Sequence, residues 1–215
     1  MSIEVVVLIT ALLFAVVIHE YAHGWVANKR GDSTARLAGR LTLNPLKHID
    51  ILGTIIVPTA LRLMGLMPIG WAKPVPVNFA NLNNPRRDMI LVAIAGPAVN
   101  IVAAFMVSLL LRWEFFVSAV FQSKLTEIIF LFLIYFTYIN LLLAVFNLMP
   151  IPPLDGSRIV LGLLPYSLAK LYSQIEPFGI IVLLVLLNLG FLRFIDKIIS
   201  FLFIGLNLPM SPYSN

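Results

Sequence analysis

The sequence has no cysteine and few charged residues, and these two absences narrow the class of protein. Without cysteine there is no disulfide, thiolate metal site or cysteine nucleophile, so a transition-metal site must use His, Asp or Glu. Charged residues make up 12% of the chain and apolar residues 60%. Soluble domains average about 25% charged and about 45–50% apolar residues. The composition therefore excludes a soluble globular protein, a disordered tail and a coiled coil.

The chain has 215 residues and a mean hydropathy of +0.97, which are the values of a small membrane protein. At about 20 residues per span there is room for four to six membrane helices. The net charge of +5 fits basic loop ends near anionic lipid, and no aromatic–basic stripe suggests nucleic acid. We predict an all-α polytopic membrane protein whose residues 1–215 form a single domain.

Apolar runs define the predicted spans, which are Ile3–Val26, Met89–Leu111, Thr126–Leu148 and Phe178–Leu192. The first run lacks a basic n-region and a cleavage site, so we expect a retained span rather than a signal peptide. Ile51–Met67 is apolar but interrupted by glycine, proline and arginine, and we expect it to re-enter the membrane. Pro68–Pro85 is typical of extended chain and turns. Ile198–Leu206 is too short to cross and is predicted to lie in the interface.

One motif in the first span carries chemistry, the run His19-Glu20-Tyr21-Ala22-His23. Residues four apart share a helix face, so both imidazoles can reach one metal ion. This is the His-Glu-x-x-His arrangement of zinc metallopeptidases, in which the glutamate acts as general base. Ionisable residues in a membrane helix are costly and indicate function. We predict that His19 and His23 are metal ligands and that Glu20 is catalytic.

A catalytic zinc also needs a third protein ligand and an open coordination position. Most acidic residues lie at span ends or in loops, where solvated charge explains them. Asp155 differs because it follows a proline-rich break after Thr126–Leu148 and precedes Gly156, so the carboxylate can turn inward at membrane depth. Asp155 is therefore the favoured third ligand. His48, in a polar loop, is the alternative.

Three signatures now carry a resemblance to a known family. They are His19-Glu20-x-x-His23, then Ala95-Gly96-Pro97-x-x-Asn100, then Asn147-x-x-Pro150-x-Pro152-x-Leu154-Asp155-Gly156. In this order, over about residues 10–165, they resemble the site-2 protease family of intramembrane zinc metalloproteases. The resemblance is to the short members, which have no PDZ domain.

The resemblance implies one zinc ion per chain, held by His19, His23 and Asp155, with Glu20 as base. It also implies that Asn147 faces the site, where its amide could bind substrate or stabilise the oxyanion. The implied activity is hydrolysis of peptide bonds within or near transmembrane segments of membrane-protein substrates, which is regulated intramembrane proteolysis. The implied partners are a transmembrane protein substrate and the lipid bilayer, with no nucleic acid.

A helical substrate must unwind before its carbonyls can be attacked. The segment Gly70–Val77 offers strand-like backbone, and we expect it to pair with the substrate by strand addition. Trp71, Lys73 and Val75 are the predicted substrate-binding residues of this segment. A structural hairpin that covers the site is the alternative. Asn100 and Asn140 are interpreted as helix–helix hydrogen-bonding residues.

The predicted site also sets the topology. His23 lies near the C-terminal end of the first span, and Asp155 lies just past the C-terminal end of Thr126–Leu148. Because both must reach one ion, these two spans are parallel, and Met89–Leu111 is antiparallel to both. Asp50 and Arg86 then lie on one face of the membrane. If that face is cytoplasmic, nine basic residues lie there against four on the other side. We expect an active site towards the cytoplasmic side of a bacterial or archaeal cell membrane.

Three other functions compete with this interpretation. A membrane zinc protease of the prenyl-protein class would use a glutamate as third ligand, and no glutamate follows at a suitable apolar position. A metal-binding membrane transporter or sensor without protease activity would need ligands along a path, whereas the strong ligands here converge on one site. An inactive scaffold is disfavoured by the intact Glu20.

Overall fold

Helices form almost all the regular structure in the computed structural model, which describes residues 3–65, 70, 72–112, 123–206 and 208. No strand occurs in these ranges. The helices are α1 (Ile3–Lys29), α2 (Thr34–Leu37), α3 (Val57–Leu63), α4 (Pro85–Leu111), α5 (Lys124–Asn147), α6 (Asp155–Leu163), α7 (Tyr166–Ser173), α8 (Gly179–Asn188) and α9 (Phe191–Gly205). A π-helical turn, Ile51–Ile56, leads into α3, and short 3₁₀ turns cover Pro45–His48, Phe79–Asn81 and Glu176–Phe178.

Four stretches are long and apolar enough to cross a membrane: α1, α4, α5 and Tyr166–Asn188, which contains α7 and α8. This confirms the all-α polytopic membrane fold. The fourth stretch starts earlier and ends earlier than the predicted Phe178–Leu192. Gly190 has a φ of +85°, a left-handed conformation that breaks the helical run before Leu192. The polar side chains of α7 interrupt the apolar pattern, so the start of this stretch was predicted too late in the sequence.

Helices α1, α4 and α5 form the centre of the bundle. Ala11, Ala15 and Ala104 are fully buried, and such small residues let helix backbones approach closely. Helix α4 runs antiparallel to α1, because its N-terminal half contacts the C-terminal half of α1 and Asn100 reaches the Ala15 carbonyl. This arrangement brings the C-terminal half of α1 and the start of α4 to the same end of the bundle.

Helix α9 packs against α5 rather than forming only the short helix predicted at Ile198–Leu206. Ile195, Ile199 and Phe203 are fully buried at helical spacing and join the α1–α5 core cluster. The Tyr138 hydroxyl of α5 donates to Asp196 of α9 at 2.5 Å. The charged residues within the apolar run lie beside this stripe, so the helix continues through them.

The connection between α1 and α4 contains a short helical excursion and an extended return. The π-helical turn and α3 have six and seven residues. At about 1.5 Å per residue they are about 20 Å long, less than the roughly 30 Å of a bilayer core. Asp50 begins the excursion by accepting from the Leu52 and Gly53 amides, each at 2.9 Å. That this segment re-enters the membrane stays a prediction.

Candidate metal centre

Three side chains from two parts of the chain converge at one point in the bundle. The Nε2 atoms of His19 and His23 are 3.0 Å apart, and each is 3.2 Å from Oδ2 of Asp155. The histidines are 6% and 8% exposed. In the part of the chain that the structure describes, these three residues form the one group of His, Cys, Asp and Glu close enough to hold a metal ion.

Hydrogen bonds at the far side of each ring fix the direction of the imidazoles. Nδ1 of His19 lies 2.6 Å from Oδ1 of Asn100, and Nδ1 of His23 lies 2.7 Å from the Val92 carbonyl oxygen. Asn100 uses its Nδ2 to donate to Ala15 and Asn140, which assigns Oδ1 as the acceptor facing His19. Both rings therefore carry their proton on Nδ1, and both Nε2 lone pairs face Asp155.

The donor atoms fit a zinc ion. Oδ2 of Asp155 is buried and has no hydrogen-bond partner among the described residues, although two Nε2 lone pairs lie against it. Three such acceptors repel one another unless a cation lies between them. Tetrahedral zinc with bonds of about 2.0–2.1 Å separates neighbouring ligands by about 3.3 Å, close to the spacing observed here. Three protein ligands also leave the fourth position open.

Gly96 of α4 makes room for both imidazoles. A Cβ atom at this position would lie 2.6 Å from Cε1 and 2.7 Å from Nε2 of His19, and closer still to Nε2 of His23. Asn100 follows one turn later on the same face, where it accepts from His19. The Gly-Pro-x-x-Asn signature thus combines the space for the histidines with the group that orients one of them.

Asp155 is delivered to the centre by a close turn after α5. Leu154, which precedes α6, is 7% exposed, and Gly156 follows Asp155 in the first turn. A Cβ atom at Gly156 would clash with the carbonyl oxygens of Leu148 and Met149. Glycine therefore lets the start of α6 pack directly on the end of α5, which holds the carboxylate towards α1.

Glu20 lies beside the cluster and contacts the extended segment that precedes α4. Its Oε2 accepts a hydrogen bond of 2.7 Å from the Val75 amide. Val75 is 6% exposed, whereas Lys73 is solvent-exposed. Trp71, the remaining predicted substrate-binding residue of this segment, lies outside the described residues. The extended segment thus runs alongside the turn of α1 that carries His19, Glu20 and His23.

The other candidate residues have different surroundings. His48 is fully buried, but its Nε2 donates to the Thr42 carbonyl at 2.9 Å, and it is not part of the three-residue group. The structure therefore brings Asp155, and not His48, to the two histidines. Nδ2 of Asn147 donates to the Leu143 carbonyl of its own helix at 3.0 Å.

The sequence did not predict that Asn100 would orient His19 by accepting a hydrogen bond from its ring. Asn100 also makes the contact that was predicted. It donates to Asn140 at 2.6 Å, so the predicted helix–helix hydrogen bond is present. Asn140 in turn donates to the Phe136 carbonyl. A series of hydrogen bonds therefore connects His19 through Asn100 and Asn140 to the backbone of α5. The signal available in the sequence was the four-residue spacing of Gly96 and Asn100, which places both on one face of α4.

A buried carboxylate ties the end of α1 to the extended segment. Asp32 is fully buried and accepts from the amides of Thr34 at 3.1 Å and Asn78 at 2.7 Å, from Nδ2 of Asn81 at 3.2 Å and from the Thr34 hydroxyl. Burial alone would raise the pKa of Asp32. The hydrogen bonds outweigh burial and hold this pKa below its usual range.

A centre of two histidines and a carboxylate among membrane-length helices defines a class, the integral membrane proteins with a potential metallohydrolase site. Comparison with known families narrows the class. The model described as Peptidase family M50 matches residues 7–125 and 116–189. The chain belongs to this family, the site-2 proteases, as the three signatures predicted.

Curated relatives agree with this membership. The chain is 41% identical over 183 residues to "Putative zinc metalloprotease YwhC" of Bacillus subtilis (strain 168), which covers 83% of this chain and 78% of the relative. It is 27% identical over 185 residues to "Putative zinc metalloprotease Rip2" of Mycolicibacterium smegmatis, covering 85% of this chain and 66% of that protein. The Rip2 of Mycobacterium tuberculosis (strain H37Rv) is 26% identical over 181 residues. The search of solved structures finds no significant match.

Proposed function

We propose that this protein is an intramembrane zinc metalloprotease that hydrolyses peptide bonds within or near transmembrane segments of membrane-protein substrates. The observation that carries the proposal is the convergence of His19, His23 and Asp155 next to Glu20, within an apolar bundle. One zinc ion per chain would be held by the two Nε2 atoms and the carboxylate. Family membership and the names of the relatives support this choice of metal and reaction.

The chain's own residues divide the chemical work. When bound, zinc supplies Lewis acidity that polarises the scissile carbonyl and lowers the pKa of water towards about 7. Glu20 accepts the proton of the attacking water and delivers it to the leaving amine. The Asn147 amide uses one N–H within its helix, and we assign its second N–H to the substrate or the oxyanion.

Substrate binding is assigned to the extended segment before α4, including Trp71, Lys73 and Val75. Pro74 and Pro76 lack an N–H, so one edge of this segment cannot form a strand ladder. On the other edge, the Val75 carbonyl and the Val77 amide have no hydrogen-bond partner among the described residues. An unwound substrate can pair with these two groups, as in strand addition.

Charge asymmetry supports an active site near the cytoplasmic face. The side that we assign to the cytoplasm carries nine basic residues: Lys29, Arg30, Arg36, Arg40, Lys47, Arg86, Arg87, Arg158 and Lys170. The opposite end of the bundle, where α4 ends and α5 begins, carries Arg112 and Lys124. The other two basic residues predicted for that side, Arg193 and Lys197, instead lie along α9, whose C-terminal Leu206 contacts Arg112 and whose Asp196 contacts Tyr138 within α5. Cytoplasmic loops of membrane proteins are enriched in such residues. The relatives are bacterial proteins, which supports a bacterial cell membrane as the location.

The test is proteolysis of a single-span reporter protein in liposomes, measured together with zinc content. Glu20→Gln should retain zinc but lose cleavage, because the amide cannot accept the water proton. His23→Ala should lose both zinc and cleavage. Glu4→Gln, which changes an exposed glutamate at the other end of α1, is the matched control and should match the wild type.

The same experiment decides between protease and transporter or sensor. Zinc binding without cleavage of any membrane reporter by the wild type, together with zinc movement across the liposome, would refute the protease proposal. Cleavage retained by Glu20→Gln would refute the role of Glu20 as base.

A further inference from the structure

One residue of the extended segment contacts the catalytic turn of α1 in two ways. The Val75 amide donates to Oε2 of Glu20 at 2.7 Å, across 55 residues of sequence. Among the described residues this is the one hydrogen bond to the Glu20 side chain. It anchors Oε2 and leaves Oε1 without a protein partner in the same part of the chain.

The Val75 side chain fills a notch in α1 that only glycine provides. A Cβ atom at Gly24 would lie 2.7 Å from Cγ1 of Val75 and 3.3 Å from Ala35 Cβ and Leu41 Cδ1. Gly24 follows Glu20 by one helical turn, so the two positions share a face of α1. Val75 therefore spans this face, with its side chain on Gly24 and its amide on Glu20.

The neighbours of Val75 hold it in this place. The Lys73 amide donates to the His48 carbonyl at 2.8 Å, and the Arg40 guanidinium donates to the carbonyls of Lys73 and Pro74 at 2.8 and 3.2 Å. Prolines at positions 74 and 76 restrict the backbone on both sides and remove the competing amides. The direction of the Val75 N–H is thus set before any substrate arrives.

We propose that Val75 is a positioning residue for Glu20, and that Gly24 is the notch that sets its place. The Val75 N–H holds one carboxylate oxygen, so that the other is presented for proton transfer. A charge-assisted hydrogen bond to a fixed backbone amide suits this role. The inference rests on the proposed function, because it takes Glu20 to be the general base.

The first test separates the amide from the side chain. Val75→Pro removes the N–H, and Val75→Ala keeps it but empties the notch. General base catalysis is worth about 10²–10⁴-fold, so misdirecting the base should cost a good part of this. We expect kcat of Val75→Pro to be at least ~10-fold below that of Val75→Ala, with similar KM and zinc content. Equal kcat values, or a difference confined to KM, would overturn the proposal.

A second test uses no proline variant, so it does not require Val75→Pro to fold. Gly24→Ala should force Val75 out of the notch and lower kcat, and the double variant Gly24→Ala/Val75→Ala should recover most of the loss because it removes the clashing Cγ1. Gly205→Ala, a helical glycine with no atom within 4 Å of the added Cβ, is the matched control and should match the wild type. A double variant no better than Gly24→Ala would contradict the seating of Val75.

A third measurement needs no activity and keeps the inference separate from the proposed function. In zinc-free protein, the hydrogen of the ¹⁵N-labelled Val75 amide should exchange with solvent at least ~10-fold more slowly in the wild type than in Glu20→Leu, which removes the acceptor. Val75→Ala assigns the signal. An inactive wild type with a protected Val75 amide would refute the protease but retain the contact. An amide with equal exchange in both proteins would refute the positioning role.

Discussion

Gly96→Ala should remove the metal while leaving the bundle folded. The added methyl would lie 2.6–2.7 Å from two ring atoms of His19, where carbon and nitrogen normally stay about 3.4 Å or more apart. The rings cannot swing away cheaply, because Asn100 and the Val92 carbonyl hold their Nδ1 atoms. A displacement of about 0.7 Å exceeds the tolerance of a zinc bond, which is about 0.2 Å.

The free-energy terms for folding are smaller than those for metal binding. Replacing glycine by alanine within a helix gains about 0.5–1 kcal/mol, and crowding a packed interior costs about 1–3 kcal/mol. The zinc-free variant should therefore lose at most about 2.5 kcal/mol of stability and remain folded. Losing a first ligand should cost more than the 10–100-fold that outer partners are worth, so we expect zinc affinity to fall at least ~100-fold.

The assay is zinc competition with a chelator of known affinity, together with thermal unfolding of the zinc-free proteins in detergent. Gly205→Ala serves again as the control, since its Cβ meets open space. If Gly96→Ala binds stoichiometric zinc with wild-type affinity, the reasoning is refuted, because the imidazoles would then have kept their positions despite the added methyl.

Three further predictions follow from other contacts. Asn100→Leu should weaken zinc binding about 10–100-fold in the chelator assay, because the His19 Nδ1–H loses its acceptor. Asp32→Asn should lower the melting temperature at pH 7, and the difference in melting temperature from the wild type should narrow as pH falls below about 4. The reason is that a carboxylate whose pKa is lower in the folded state stabilises the protein above its unfolded-state pKa and loses this effect when it is protonated. Cysteines at exposed positions Lys47 and Arg87 should label from one side of the membrane and a cysteine at Lys124 from the other; labelling of 47 and 87 from opposite sides would refute the re-entrant connection.

The parts of the site that lie within a few residues of one another were predictable from the sequence. His19, Glu20 and His23 share one helix, so their relative positions follow from helical geometry alone. The family, confirmed by the comparison, and the all-α membrane fold follow from motifs and composition. Asp155 could be singled out because the chain has few acidic residues and this one follows a broken helix.

Contacts between distant segments could not be predicted in this way. The space at Gly96, the hydrogen bond from Asn100 to His19 and the contact of Val75 with Glu20 depend on how closely helices and loops approach. Periodicity does not encode these distances. The same reason explains α9, whose buried stripe is defined by its packing on α5 and not by the length of its apolar run.

The order of the helices along the chain has a consequence for biogenesis. The two histidines are synthesised with the first span, the asparagine and glycine that orient them with α4, and the carboxylate only after α5. A nascent chain therefore enters the membrane with the two histidines alone, and it acquires Asp155 only after three membrane-length helices have been made. The three-residue cluster therefore cannot form before α5 has been synthesised, and a chain interrupted earlier would carry the two histidines without the carboxylate.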